Sequence, residues 1–474
     1  MGLRSCIVAI FAALASQSYA CAIEPARAPE LPIRTPAQIA GADRAIERAD
    51  KAIRQNSKDS QAYASRALAW KTKGELDKAI DDYTEALKLD SNFTRCYVGR
   101  GYAFEYKGDF DSAIKDFTEA IRLEPNAPSG YLSRGYARQL KRTLDSAMAD
   151  YNEAIKLDPK SVAGFTDRGY LFALKGDSDN ALKDLAEAIQ LDPTAPLAYL
   201  FRGDIRAKKG EIDDAIDDLS KAIKLAPNDA VAYRTRGAMW LKKSDLDSAV
   251  KDFTQAILIN PNSANGYYDR GLAWQRKHDW NNAIEDYTSA INLDPKLAMA
   301  YANRGMARDQ KGAHDEAIKD LTEAINLNPT DAKAFEGRGR AWDHKGEYEK
   351  AITDLLTATK LDPNNAHACN NLAWIYATCP DDRFRNGAKS LELARHACEV
   401  SKTVEWYLQG TLAAAYAETG DFPSAIKSQQ KSLELTTKDS DKQEAQKSLD
   451  LFKSGKPYRD ELKRDETKPD EKKN

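Results

Sequence analysis

The chain has 474 residues, with 70 Lys plus Arg against 73 Asp plus Glu and a formal net charge of −3. That near balance, with no basic stripe, sets it apart from polyanion-binding proteins, so nucleic acid is not an expected partner. The 42% hydrophobic and 30% charged content suits a soluble, well-packed protein.

At the start, Met1 to Arg4 precede an apolar run from Cys6 to Ala15, and Ser18-Tyr19-Ala20 has the small-x-small form of a cleavage site. Residues 1–20 therefore read as a secretory signal peptide, and the run is too short to span a bilayer. The expected location is outside the cytoplasm: a bacterial periplasm, the cell envelope or the medium. Cys21 directly after Ala20 raises N-terminal lipidation as the alternative, although Ser18-Tyr19 matches a lipoprotein signal poorly. Residues 21–39 carry several prolines and no period, and are expected to form an extended linker. Within 40–59, Ala45, Ala49 and Ala52 sit one period before Ala79, Tyr83 and Ala86, which predicts a lone capping helix.

From 60 to 365 one pattern is written nine times. Taking Gly101 as the register mark, Ala67 precedes it and Gly135, Gly169, Gly203, Gly237, Gly271, Gly305 and Gly339 follow, all 34 residues apart. Such a period is the signature of stacked helical repeats. In one copy Tyr97, Gly101 and Phe104 lie at i, i+4 and i+7 on one helix stripe. Lys107 and Gly108 then end that helix, because a cation suits its C-terminus and glycine accepts positive φ. Asp109 and Asp111 open a second helix that buries Ala113, Phe117 and Ala120, and Pro125 ends it.

The order of aromatic, Gly, aromatic, Ala, aromatic, Ala and Pro at Tyr233, Gly237, Trp240, Ala249, Phe253, Ala256 and Pro261 resembles the tetratricopeptide repeat (TPR) pattern. The resemblance implies an all-α fold: an α-solenoid, a right-handed superhelix of antiparallel helix pairs whose first helices line a concave groove. It also implies a noncatalytic scaffold for a protein or peptide. Groove positions would hold Tyr102, Leu132, Tyr136, Tyr170, Leu200 and Arg234, then Tyr268, Leu272, Met299, Met306, Lys333 and Arg340. Large apolar groups on such a face suggest docking of a peptide or helix; the alternative is that they pad the inside of the coil. The family's clamp for C-terminal carboxylates is matched only at Asn303 and Lys333, so chaperone-tail binding is not expected.

The copies depart from the family in one respect. Arginine replaces the leucine usual before the Gly, and an aspartate follows sixteen residues later. The pairs are Arg66/Asp82, Arg100/Asp116, Arg134/Asp150, Arg168/Asp184, Arg202/Asp218, Arg236/Asp252, Arg270/Asp286, Arg304/Asp320 and Arg338/Asp354. They predict a ladder of partly buried, charge-assisted contacts between first and second helices. The competing reading is two independent solvated charges. Leu372 and Leu412 restore the family residue later in the chain.

Residues 366–439 read as two looser repeats, the first widened by Cys379-Pro380-Asp381-Asp382-Arg383, and 440–455 as a closing helix. Residues 456–474 read as a disordered charged tail. His367, Cys369, Cys379, His396 and Cys398 fall in the looser region. Ligands two apart on a helix point away from each other, so no metal or other cofactor is expected. A Cys369–Cys398 disulfide and plain buried thiols both remain open. No phosphate-cradling loop or nucleophile–base pairing occurs, and the chain reads as no enzyme. The minor alternatives are a self-associating envelope assembly factor and a thiol-redox protein centred on Cys379.

Overall fold

The computed structural model describes residues 35–460 apart from 402; residues 1–20, read as a signal peptide, Cys21 and the last part of the tail lie outside them. The described residues form an α-solenoid of consecutive paired helices with no strand. They divide into two compact units on either side of Met239 and Trp240. The unit before this division holds α1 (Pro36–Gln55), α2 (Ser60–Lys73), α3 (Leu76–Leu89), α4 (Thr94–Tyr106), α5 (Phe110–Leu123), α6 (Pro128–Leu140), α7 (Leu144–Leu157), α8 (Val162–Leu174), α9 (Ser178–Leu191), α10 (Pro196–Lys209) and α11 (Ile212–Leu225). Helix α12 (Ala230–Lys242) contains the division. The unit after it includes α13 (Leu246–Ile259), α14 (Ala264–Arg276), α15 (Trp280–Leu293), α16 (Ala298–Gln310), α17 (His314–Leu327), α18 (Ala332–His344) and α19 (Tyr348–Leu361).

Within a pair the backbones approach at the register glycine. A Cβ built on Gly101 would lie 2.7 Å from the Phe117 ring, and one on Gly305 would lie 2.8 Å from Leu321 and 3.1 Å from the Ala317 carbonyl oxygen. Ala113, Phe117, Ala317 and Leu321 are fully buried beneath these crossings. The first helices close on a left-handed residue: Gly108 has φ 78° and Gly312 φ 80°. Three copies place a side chain there, with Arg142 at φ 64°, Ser244 at 63° and His278 at 59°. A non-glycine residue in that region is strained by roughly 1–2 kcal/mol, partly offset by the extra freedom glycine has when unfolded. Arg142→Gly and Ser244→Gly should therefore each stabilise by about 0.5–1 kcal/mol, read as a raised urea midpoint at unchanged m.

The ladder is formed within each unit. Arg100 donates from Nε and Nη2 to both oxygens of Asp116, each at 2.8 Å. Equivalent paired contacts join Arg66 to Asp82, Arg134 to Asp150, Arg168 to Asp184, Arg202 to Asp218, Arg270 to Asp286, Arg304 to Asp320 and Arg338 to Asp354. Asp116 is 5% exposed and Arg100 18%, which excludes two solvated charges. The hydrogen bonds to Asp116 raise the Arg100 guanidinium above its ordinary value even against burial, so it stays charged. Of the ninth expected pair, Arg236 belongs to the unit before the division and Asp252 to the unit after it. Asp252 is nonetheless buried on α13 at 3% exposure, so it is no solvated charge either.

The remaining guanidinium nitrogen reaches the preceding repeat. Nη1 of Arg100 meets Thr84 Oγ1 at 2.9 Å, that of Arg168 meets Asn152 Oδ1 at 2.8 Å, and that of Arg236 meets Ser220 Oγ at 2.9 Å. Arg100 and Arg168 thus tie their own pairs closed and also fix them to the neighbour. A second stitch joins the lysine ending a first helix to the first turn of the previous second helix, as in Lys175–Asp145 at 2.6 Å and Lys209–Asp179 at 3.1 Å. These lysine pairs are exposed and contribute little.

Helix α1 takes the place of a second helix, since Asp50 accepts from Arg66 and Asp43 from Lys73, both at 2.6 Å. It begins at Pro36, four residues before the expected boundary. Thr35 and Gln38 form a reciprocal capping box and Pro36 occupies the first turn, so the extended linker cannot run to residue 39. The widened repeat holds a short 3-10 turn, Asp382–Phe384, between α20 (Ala366–Thr378) and α21 (Gly387–Val400). The chain closes with α22 (Trp406–Glu418), α23 (Phe422–Leu435) and α24 (Asp439–Lys453).

The expected disordered tail is packed where it is described. Tyr458 is 8% exposed against Phe452, Ala377 and Ala413, Arg459 pairs with Glu418 at 2.6 Å, and Asp460 accepts from Trp374 Nε1 at 2.8 Å. The aromatic ring covers apolar surface that charge counting along the tail does not reveal. Among the described residues no helix is long and apolar enough to cross a membrane.

Candidate functional site

In the unit before Met239, the faces of α4, α6, α8 and α10 carry Tyr102, Tyr136 and Tyr170, all half-buried. Tyr102 bonds Ser133 Oγ through its hydroxyl at 2.6 Å, and Tyr170 stacks on Phe201 with centroids 4.5 Å apart. Leu132 is half-buried against Tyr151 and Leu171, and Arg234 is half-buried on α12. Leu200 is corrected: at 5% exposure it is a core residue with no face to offer.

Three carboxyl groups share this stretch with the tyrosines, and the sequence reading did not single them out. Glu105 is 3% exposed, and its Oε2 accepts no hydrogen bond. Burial pushes its carboxyl up to about 7, with Lys71 pulling the other way. Burial likewise raises Asp167 to about 7. Asp204 accepts from Lys208 at 2.7 Å on Oδ2, while its Oδ1 is buried without a donor. Burial pushes the Tyr136 phenol up to about 12, and the charges of Glu105, Asp167 and Tyr170 add to the effect. Register offered a usable signal, because Asp204 occupies the slot held by Tyr102, Tyr136 and Tyr170 in the preceding copies.

In the unit after Trp240, Tyr268 and Leu272 on α14 are half-buried, Tyr268 accepts from Asn303 Nδ2 at 3.0 Å, and Met299 is 48% exposed. Lys333 is half-buried, and burial lowers its ammonium below the ordinary value. Two groove assignments are corrected here. Met306 packs at 6% exposure with Ala317, Ile318, Leu321 and Ala341. Arg340 is equally buried because its Nε donates to Asp309 Oδ2 at 2.9 Å. Oδ1 of Asp309 faces the Nδ1 atoms of His314 at 2.7 Å and His344 at 3.0 Å. No motif in the sequence marks this cluster.

Of the two readings left open for Cys369 and Cys398, the structure has the free thiols and not the bridge. They border one cluster with Tyr407 and Leu408, but Cys369 Sγ points to the Pro363 carbonyl and Cys398 Sγ to that of Leu408, each at 3.9 Å. Burial raises Cys379 to about 11, so its thiolate is scarce at neutral pH and the redox reading gains nothing from its setting.

The repeated helix pairs of the described residues define an α-helical repeat scaffold for protein interaction. Tetratricopeptide-repeat family models match residues 60–93, 98–162, 166–230 and 298–331, and a further TPR model matches 344–378. The chain belongs to the tetratricopeptide-repeat family, whose fold is typically noncatalytic and whose members bind protein or peptide partners.

Among solved structures, YrrB, described as a TPR protein with an unusual peptide-binding site, is 22% identical over 39% of this chain and 95% of its own, with a TM-score of 0.35. Yeast Tom70 is 16% identical over 84% of this chain and 96% of its own, at 0.39. Cut9–Hcn1 of the APC/C is 14% identical over 86% and 94%, at 0.48. No curated protein matches the chain.

Proposed function

We propose that the unit before Met239 captures an extended or helical segment of another protein along the inner faces of α4, α6, α8 and α10, and that the segment presents a basic side chain. The observation that carries this reading is Glu105, a buried carboxyl with one oxygen unpaired, whose charge, like that of Asp167, acts on the phenols of Tyr102 and Tyr136. A buried unpaired acceptor is costly, and a guest ammonium or guanidinium would relieve it. Tyrosine rings supply contact area with little ordering cost and attract cations over their faces.

Random peptides displayed against the full chain should enrich for Lys or Arg near an apolar residue. Captured peptides should bind at least 10-fold more weakly to Tyr136→Ala/Tyr170→Ala and to Glu105→Gln/Asp167→Asn. Ionised carboxylates bind the cation, so affinity should rise as pH is raised from 6 to 8 through about 7. Enrichment without basic residues, or equal binding by the variants, would remove the proposal. We further propose, on the leader-like residues 1–20, that the protein acts in the periplasm, the cell envelope or the medium. Fractionation with N-terminal sequencing tests this, and an intact Met1 on cytoplasmic protein would refute it.

A further inference from the structure

We propose that Asp309, His314 and His344 form a binding site for one divalent first-row transition ion, held by two imidazoles and one carboxylate. The three come from separate rigid segments: Asp309 from the last turn of α16, His314 from the first residue of α17, and His344 from the last residue of α18. One ligand atom from each lies within 4.8 Å of the other two, and Asp309 Oδ1 stands 2.7 and 3.0 Å from the two Nδ1 atoms. Ligands about 2.0–2.1 Å from an ion and at right angles around it are about 2.9 Å apart, so the two edges from Asp309 Oδ1 to the imidazoles already have nearly that spacing, and the edge between the imidazoles, within 4.8 Å, would close on an ion. Two nitrogens and one oxygen in that arrangement suit zinc, nickel, cobalt or iron better than calcium or magnesium.

The surroundings support the same assignment. Arg340 holds Oδ2 of Asp309 at 2.9 Å, so the carboxylate is oriented with Oδ1 toward the imidazoles. Glu336 lies 3.8 Å from the Arg340 guanidinium and offsets its charge. With the Asp309 side chain fully buried, His344 9% exposed and His314 25% exposed, an ion would enter from the His314 side and keep solvent ligands there.

Neither histidine recurs in its column of the repeat: His314 occupies the slot of Phe110, Leu144, Leu246 and Trp280, and His344 that of Lys208, Lys242, Arg276 and Gln310, whereas the column of Asp309 also holds Glu105 and Asp343. The two departures meet at one aspartate. Without an ion the two imidazoles hydrogen-bond Oδ1 of Asp309; with one, both Nδ1 lone pairs would turn to the ion and each ring would carry its proton on Nε2.

The test uses tag-free, full-length protein stripped with chelator and titrated with Zn²⁺ by calorimetry. One Zn²⁺ per chain should bind, and X-ray absorption of the wild-type complex should show two imidazoles in the first shell. His314→Ala and His344→Ala should each weaken binding about 30-fold, while His367→Ala/His396→Ala should leave it unchanged. Circular dichroism checks that each variant is folded, and the absorption spectrum decides the matter without any variant. No saturable uptake, a first shell lacking two imidazoles, or undiminished binding by the folded double variant His314→Ala/His344→Ala would overturn the assignment.

Discussion

Replacing Asp320 with alanine should destabilise the α16–α17 pair by about 3 kcal/mol, one of the two largest effects expected of a single substitution in the chain. Asp320 is 6% exposed and accepts from Arg304 Nε at 2.9 Å, Arg304 Nη2 at 2.8 Å and Arg308 Nη1 at 2.7 Å. Alanine removes the acceptor and leaves two guanidiniums competing for water they reach only in part. Arg304 also holds Thr288 of α15 at 3.0 Å, so its release loosens the contact with the preceding repeat. Repeats unfold partly by themselves, so a single global transition understates the loss. Amide exchange should quicken most in α15, α16 and α17, together with a lower urea midpoint. The chain carries its own control, because Leu412 stands in the arginine slot with Ser428 sixteen residues on. Arg304→Leu/Asp320→Ser should recover part of the loss, since it removes the more deeply buried guanidinium and leaves only Arg308, 26% exposed, without its carboxylate. A double variant as unstable as Asp320→Ala would show that the ladder contributes net stability rather than register.

The same contrast explains what could be read before the structure. Gly101, Ala113, Phe117 and Ala120 recur at a fixed interval because neighbouring backbones must touch there, and so do the Arg and Asp of each rung. Repetition of a physical constraint leaves repetition in the sequence, and pairs such as Arg100–Asp116 followed from it. The second partner of the arginine recurs as well, in a column sixteen residues before it that holds Thr84, Thr118, Asn152, Ser220, Thr254, Thr288 and Thr322, but small polar side chains on a helix do not by themselves name an arginine as their partner. Thr84, Asn152 and Ser220 are ordinary polar residues on a helix surface, and only the angle between successive pairs brings them within reach.

The inner face was legible in part, for a related reason. Tyr102, Tyr136 and Tyr170 share a column, so their placement followed from register. Leu200, Met306 and Arg340 were misjudged because helical phase gives a direction but not the depth to which the next helix covers it. Glu105 and Asp167 look like two more charges among 73 acidic residues until their burial is seen. The cysteines show the converse failure: Cys369 and Cys398 do border one cluster, but their thiols point to different carbonyls.

Asp309→Ala should cost about 3–5 kcal/mol in the unit after Trp240, because it leaves the Arg340 guanidinium buried without its main partner. Arg340 is 7% exposed and Asp309 fully buried, so water cannot replace the lost contact without opening the α16–α18 packing. Burial alone would raise the Asp309 carboxyl, yet the Arg340 charge and the two imidazole hydrogen bonds hold it well below the ordinary carboxylate range. Its folded value lies under its unfolded value of about 3.9, so this stabilisation is present in full above that pH and is lost as pH falls through the folded value. The gap in stability between wild type and Asp309→Ala should accordingly persist above about pH 5 and shrink below about 4. A gap that stays unchanged into strong acid would place the cost in packing rather than in charge. Two repeats earlier the same columns hold Leu241 and Leu272. Asp309→Leu/Arg340→Leu should therefore fold to within about 1.5 kcal/mol of wild type. Urea unfolding of the pair of variants separates the two meanings of the cluster: if apolar residues serve the fold as well as Asp309 and Arg340 do, the charges are present for what they bind.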